Sequence, residues 1–226
     1  MDQPGLTPEM HASALRGLGR INSFSRSAAI LWPSIAALAR GRGPGDPPLR
    51  VLDLASGGGD VAIALARRAK GEGLELDVEG CDISSQAVEF ARDRARHRGI
   101  DVRFFESDAL ADTPPRDDYD VIACSLFLHH LDEAAAIELL RRMAEAAGQL
   151  VLVNDLVRGR FGYWLAKFGC RLLSRSPVVH YDGPASVAGA FTVEEARGLA
   201  ERAGLSGTTI TRHWPQRFLL SWRRGG

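Results

Sequence analysis

Short apolar runs alternate with helical patterns through the first two thirds of the chain. The runs have the length of buried strands, and apolar residues between them recur every three or four positions, as on one face of a helix. Such alternation predicts a parallel sheet with helices on both faces and all strand ends along one crevice. The predicted strands cover residues 50–54, 74–81, 102–106, 119–125 and 150–153.

The ends of the chain follow other patterns. Residues 1–46 predict a pair of helices closed by a Gly- and Pro-rich linker, either as a cap over the mouth of a site or as cover for one edge of the sheet. Residues 47–226 form the main domain, with a helical insert at about 157–190 and two closing strands at 208–212 and 217–222.

The composition of the chain argues against some classes of binding partner. The 226 residues carry 28 basic and 28 acidic side chains, so the formal net charge is zero and nothing favours an electrostatic grip on nucleic acid or an anionic membrane. Three widely spaced cysteines lack metal-like spacing and fit a reducing cytosol. With no signal pattern and no apolar run of spanning length, we expect a soluble, cytoplasmic protein.

A glycine turn joins the first predicted strand to the following helix. Gly57, Gly58 and Gly59 allow the backbone to approach a ligand closely, beside the free amides of the helix start. Gly57, Gly59 and Ala62 also satisfy the G-x-G-x-x-A dinucleotide fingerprint, so an NAD site stays open. Asp53 favours another ligand, because a carboxylate there suits a cationic or water-bridged group and sits badly beside a pyrophosphate.

The pattern Asp53-x-Ala55-x-Gly57-x-Gly59 resembles motif I of the class I S-adenosylmethionine (SAM) methyltransferases, with Ala55 in place of the usual first glycine. The resemblance implies a Rossmann-like, doubly wound, mixed seven-stranded α/β sheet whose last strand is antiparallel, with an N-terminal helical cap. It also implies SAM as cofactor, S-adenosylhomocysteine (SAH) as product and no metal. An acid after the second strand would then meet the ribose, and one after the third strand the adenine. The predicted cofactor-binding residues are Asp53, Ala55, Ser56, Gly57, Gly59, Asp82, Ile83, Asp108, Ala109 and Ser125.

Histidines supply the candidates for acid–base chemistry, because an imidazole titrates near neutral pH. His130 is the first choice as base or substrate orienter, since related small-molecule methyltransferases place a histidine after the fourth strand. His129 is the second, but for it we favour the alternative of capping or packing against the next helix. His180 and Tyr181 lie in a loop between Pro177 and Gly183 and form a further constellation. Predicted acceptor contacts are Phe161, Trp164, Phe168 and Tyr181.

The function predicted is methyl transfer from SAM to a small apolar acceptor, most simply a phenolic hydroxyl. A softer resemblance at 154–156, 182–183 and 190–192 points to bacterial enzymes of polyketide, phenolic-lipid or quinone biosynthesis. The fourth strand ends in Cys124-Ser125, without the acid of metal-dependent catechol-type enzymes and without the Pro-Pro motif of nucleic-acid amino-methylating enzymes. A C-methyltransferase, an NAD(P)-dependent oxidoreductase and a non-catalytic SAM-binding protein remain alternatives.

Overall fold

The computed structural model describes residues 27–159 and 186–225, which fold around one sheet. Its strands are β1 (Leu49–Leu54), β2 (Leu76–Asp82), β3 (Arg103–Glu106), β4 (Val121–Ser125), β5 (Leu150–Leu156), β6 (Thr209–His213) and β7 (Arg217–Arg223). The helices of this part are α1 (Ser27–Arg40), α2 (Asp60–Glu72), α3 (Ser85–Arg98), α4 (Glu133–Ala146) and α5 (Val193–Arg202), and a 3₁₀ turn at Leu128–His130 follows β4.

The seven strands lie in the order β3-β2-β1-β4-β5-β7-β6. Neighbours among β1 to β5 are parallel, whereas β7 is inserted antiparallel between β5 and β6. The predicted mixed sheet with an antiparallel last strand is confirmed. The strand order reverses between β1 and β4, and ligands of such sheets bind outside the carboxyl ends of the strands at this point. We call the side where β1 to β5 end the carboxyl edge.

Two apolar cores lie on the two faces of the sheet, because successive side chains of a strand point to opposite faces. One core joins α1, α2 and α3 to residues such as Val51, Ala123 and Leu152, and we call this side the α1–α2 face. The other joins α4 and α5 to residues such as Ile122 and Val153, and we call it the α4–α5 face. This alternation determines the face to which each polar residue at the strand ends belongs.

Helix α1 covers the sheet through Leu31, Ile35 and Ala36, which are almost fully buried. It ends beside the amino ends of the strands, where Arg42 pairs with Asp120 just before β4. The helix therefore runs against the direction of β1 to β5. This helix packs on a face of the sheet. The first predicted helix lies outside the described residues, so the role predicted for the pair stays a prediction.

The predicted insert is only described at its two ends. After β5, the Arg158 amide donates to Phe191 O over 3.0 Å, so the chain leaves and re-enters the described part close together. A Cβ atom on Gly189 would lie 3.2 Å from His129 O, which puts the return beside the 3₁₀ turn. None of the helices described in 27–159 and 186–225 is long and apolar enough to cross a membrane.

Candidate active site

The turn between β1 and α2 depends on backbone conformations that favour glycine. Gly57 and Gly59 have φ angles of +52° and +71°, and Ala55 has +51°. A Cβ on Gly57 would meet nothing within 4 Å, whereas one on Gly59 would lie 2.6 Å from Cζ of Phe104. Gly59 is therefore required for packing of the turn against β3, and Gly57 keeps an open approach to the backbone.

Asp82 and Asp108 both lie at the carboxyl edge, where the sequence places them. Asp82 accepts hydrogen bonds from the Gly57 amide at 2.8 Å and the Ser84 amide at 2.9 Å, so it ties the glycine turn to the end of β2. Asp108 follows β3 and accepts from the Leu110 amide at 2.8 Å. Ile83, beside Asp82, exposes 65% of its surface. The ligand contacts assigned to these residues remain predictions.

Adjacent strands β1, β4 and β5 each place a side chain with unpaired buried polar atoms on the α1–α2 face. These atoms are both carboxylate oxygens of Asp53 on β1, the hydroxyl of Ser125 on β4 and both amide atoms of Asn154 on β5. Buried polar atoms are normally paired, because leaving one unpaired costs about 1–3 kcal/mol. Five such atoms on three adjacent strands therefore indicate that ligand groups pair them.

The carboxyl group of Asp53 has a strongly shifted pKa. The pKa is raised to about 7, mainly by burial and further by the charges of Asp82 and Asp60. The backbone amide of Ala62 lowers it in part, although its geometry is not that of a hydrogen bond. The ionised carboxylate thus has no partner in the protein that stabilises its charge. A cationic ligand group would stabilise the carboxylate and lower its pKa.

A second polar cluster lies on the α4–α5 face. Nδ1 of His129 is 2.6 Å from Oδ1 of Asp155, and the carboxylate also accepts from the His129 amide at 3.2 Å and the Leu156 amide at 2.6 Å. Burial works to raise the pKa of Asp155, but the pairing with His129, the Leu156 amide and the charge of Arg217 lower it overall. Asp155 is therefore an ionised, buried partner of the imidazole.

The two adjacent histidines have different surroundings. His129 is 9% exposed and held by Asp155, whereas His130 is exposed, with ring centroids 4.1 Å apart. Asp132 caps α4 through its own side chain, so His129 is not the cap of that helix. His180 and the predicted acceptor contacts Phe161, Trp164, Phe168 and Tyr181 lie outside the described residues. Within the described ranges no cluster of potential metal ligands occurs.

Sequence reasoning assigned no site role to Asn154, Asp155 or Arg217. Asn154 could have been found, since an amide that ends the run Leu-Val-Leu-Val at 150–153 is unusual in a strand covered on both faces. The pairing of Asp155 with His129 depends on the order of β4 and β5 in the sheet. No local sequence pattern predicts this pairing.

Comparison with known proteins identifies the central part of the chain. The profile of a family described as a methyltransferase domain matches residues 51–148. A demethylmenaquinone methyltransferase of Thermus thermophilus is 37% identical over 118 residues, which is 51% of this chain and 52% of that protein. A ubiquinone biosynthesis O-methyltransferase of Paraburkholderia phytofirmans is 32% identical over 127 residues, 55% and 52% of the two chains. The chain thus spans about half the length of these curated relatives.

The fold is also found among solved structures. An O-methyltransferase from neocarzinostatin biosynthesis, in complex with SAH and 1,4-dihydroxy-2-naphthoic acid, superposes with a TM-score of 0.65 at 20% sequence identity. The match covers 96% of this chain and 58% of the other. At this identity the likeness establishes the fold of the chain alone.

We expect different effects when each of the two turn glycines is changed to alanine. Gly59→Ala should lower the free energy of unfolding by more than about 2 kcal/mol, because an unfavourable φ is joined by a clash with Phe104. Gly57→Ala should cost only about 1–2 kcal/mol but weaken SAH binding at least tenfold. Urea denaturation and calorimetric titration measure the two effects. Equal losses of stability would contradict this division of roles.

Asp53→Asn should stabilise the ligand-free protein at alkaline pH. Because the pKa is about 7 when folded and 3.8 when unfolded, the native state binds the additional proton, and stability falls as the pH rises from about 4 to about 7. The asparagine variant lacks this loss, so its advantage should grow over that window to at most about 4 kcal/mol. Melting temperatures across the pH range measure it. Parallel curves for the two proteins would disprove the assignment.

Proposed function

We propose that this chain is a class I SAM-dependent methyltransferase that transfers a methyl group from SAM to a hydroxyl group of a small aromatic acceptor. The observation that carries the choice of a hydroxyl is the buried pair of His129 and Asp155 at the carboxyl edge. A weakly nucleophilic hydroxyl needs a base to remove its proton, and an oriented imidazole suits that task.

The residues of the α1–α2 face fit the cofactor. Asp53 offers an unpaired carboxylate to an ammonium group, Ser125 adds an unpaired hydroxyl, and Gly57 leaves room for close approach to the backbone. Asp82 and Asp108 each keep lone pairs beyond their bonds to backbone amides. When bound, the sulfonium supplies an electrophilic methyl group, and the protein's task is to hold the acceptor in line with it and away from water.

The pairing with Asp155 fixes the tautomer of His129. An ionised carboxylate only accepts hydrogen bonds, so Nδ1 carries the proton and donates it over 2.6 Å. Nε2 is then left with a lone pair that can take a proton from the acceptor hydroxyl. The carboxylate also stabilises the imidazolium that forms. We therefore assign the base to His129, with Asp155 as its positioning residue.

His130 is the base favoured by the sequence, and that assignment stays a prediction. Its exposed ring lies against that of His129, with the ring centroids 4.1 Å apart. The exposed position suits a residue that orients the acceptor at the mouth of the site. Variants of the two histidines separate these roles.

An aromatic acceptor is supported by the relatives. One is named a demethylmenaquinone methyltransferase, another a ubiquinone biosynthesis O-methyltransferase, and one solved structure holds 1,4-dihydroxy-2-naphthoic acid. Contacts from Phe161, Trp164, Phe168, His180 and Tyr181 to such an acceptor remain part of the proposal. The methyltransferase match argues against an NAD(P)-dependent oxidoreductase. Transfer to carbon and binding without transfer are tested directly below.

Incubation with methyl-labelled SAM and a series of hydroxylated naphthalenes and benzenes tests the proposal. We expect labelled methyl ethers, identified by mass spectrometry and by their resistance to oxidation to the quinone. Ring-methylated products would favour the carbon methyltransferase instead. Tight SAH binding with no product from any hydroxylated aromatic would favour a binding protein.

His129→Asn should lower kcat by about 10²- to 10⁴-fold, the usual contribution of a general base. The asparagine amide can still donate to Asp155, so the buried carboxylate stays paired and the protein should fold. SAH affinity should change less than about twofold, because the imidazole lies on the face opposite to Asp53. Steady-state kinetics and calorimetric titration of the same preparation measure both.

His130→Ala is the matched control, a change of the exposed neighbour. It should leave kcat within about tenfold of the value for the unaltered enzyme. If the residue orients the acceptor, the change should raise KM. A loss of kcat confined to His130→Ala would move the base to that residue. Full activity of both variants would remove histidine from the reaction.

A further inference from the structure

Arg217, the first residue of β7, is a buried cation that forms no ion pair with the residues described in 27–159 and 186–225. It is 3% exposed, and among the described residues no carboxylate oxygen lies within 4 Å of its guanidinium. Its Nη1 atom is fully enclosed and has no hydrogen-bond partner. Arginine is almost never fully buried unless it is paired, because an unpaired charge is costly to remove from water.

The carboxylate of Asp155 already has other hydrogen-bond partners. Its charge favours the protonated form of Arg217, but its oxygens are hydrogen-bonded to the His129 ring and to the backbone amides of His129 and Leu156. Burial lowers the pKa of Arg217 to about 10, and Asp155 offsets this only in part. The two side chains also start on opposite faces of the sheet. Arg217 thus has unsatisfied attraction for an anion.

Asn154 lies beside Arg217 on the same face. In the antiparallel pair, Asn154 is opposite Leu219 and Leu156 is opposite Arg217, which makes the two polar residues diagonal neighbours. Such neighbours have Cα atoms about 7–8 Å apart, within reach of a long side chain. Both amide atoms of Asn154 are enclosed and unpaired, and the residue is 0% exposed.

The chemistry of the pair selects a carboxylate. A guanidinium presents parallel N–H donors that match the two oxygens of a carboxylate, and the Asn154 amide adds another donor. Two strand spacings, about 10 Å, separate β5 from β1, so one small ligand group cannot pair Asn154 and Asp53 together. Arg217 and Asn154 therefore need a ligand group of their own, an anion, that is separate from the cationic group attracted by Asp53.

We propose that Arg217 and Asn154 form a subsite for a carboxylate of the acceptor, so that the substrate is a hydroxylated aromatic acid and not a neutral phenol. This inference rests on the proposed function. At the end of β5, Asn154 faces one side of the sheet and Asp155, which holds His129, faces the other. An acceptor lying across this strand end presents its carboxylate to Arg217 and its hydroxyl to His129.

A matched pair of acceptors tests the subsite: 1,4-dihydroxy-2-naphthoic acid and the same naphthalenediol without the carboxylate. The unaltered enzyme should use the acid with a kcat/KM at least about tenfold higher, the size expected for a charge-assisted hydrogen bond. Arg217→Met should lower kcat/KM for the acid about 10- to 100-fold and leave the neutral diol nearly unchanged. Arg212→Gln, an exposed arginine on β6, is the control and should affect neither.

Binding gives a second readout that does not depend on turnover. In the presence of SAH, the acid should raise the melting temperature of the unaltered protein and not that of Arg217→Met. A shift without any methyl transfer would keep the subsite and overturn the proposed function. Methyl transfer with equal use of the acid and the diol would overturn the subsite alone.

Asn154→Leu separates a ligand contact from a structural role. It removes unpaired polar atoms from the core, so the ligand-free protein should melt at the same temperature or higher while the preference for the acid falls. A marked loss of stability in either variant would mean that the pair serves the fold. Weakened SAH binding in Arg217→Met would assign the arginine to the cofactor and overturn the proposal.

Discussion

Polar side chains enclosed at the carboxyl edge without partners are the constraint on which the site depends. Asp53, Ser125, Asn154 and Arg217 stand on four strands, each with at least one buried atom that makes no hydrogen bond. A chain optimised for stability alone would pair such atoms or replace them with apolar groups, since each costs about 1–3 kcal/mol. That these side chains lie on one face at the carboxyl edge is explained if ligands supply the missing hydrogen-bond partners.

The apolar packing in the rest of the sheet supports these unpaired side chains. Below the edge, Val51, Ala123 and Leu152 on one face and Ile122 and Val153 on the other are completely buried between helices. The ring of Phe104 fixes the glycine turn from behind, and Asp82 fixes it from the side through the Gly57 amide. Rigid support of this kind holds a site in position before a ligand arrives, which lowers the cost of binding.

Much of the fold was predictable because it is expressed in local patterns. Apolar runs, the glycine turn and an acid after each early strand are visible in the sequence, and parallel strands bring their ends together. That Asn154 and Arg217 are neighbours on one face depends on the register of β5 with β7, two strands far apart in the chain. The choice between His129 and His130 likewise turns on Asp155, which no spacing along the chain connects to either histidine.

The central claim is that Asp53 awaits a cationic group, and proton release on SAH binding tests it most directly. The ligand's ammonium would favour the carboxylate, so a group with a pKa of about 7 must lose its proton on binding. Calorimetry at about pH 6 in buffers of different ionisation enthalpy should show release of nearly one proton, declining to none above about pH 9 and absent in Asp53→Asn. Binding of SAH with no proton release at the lower pH would contradict the account.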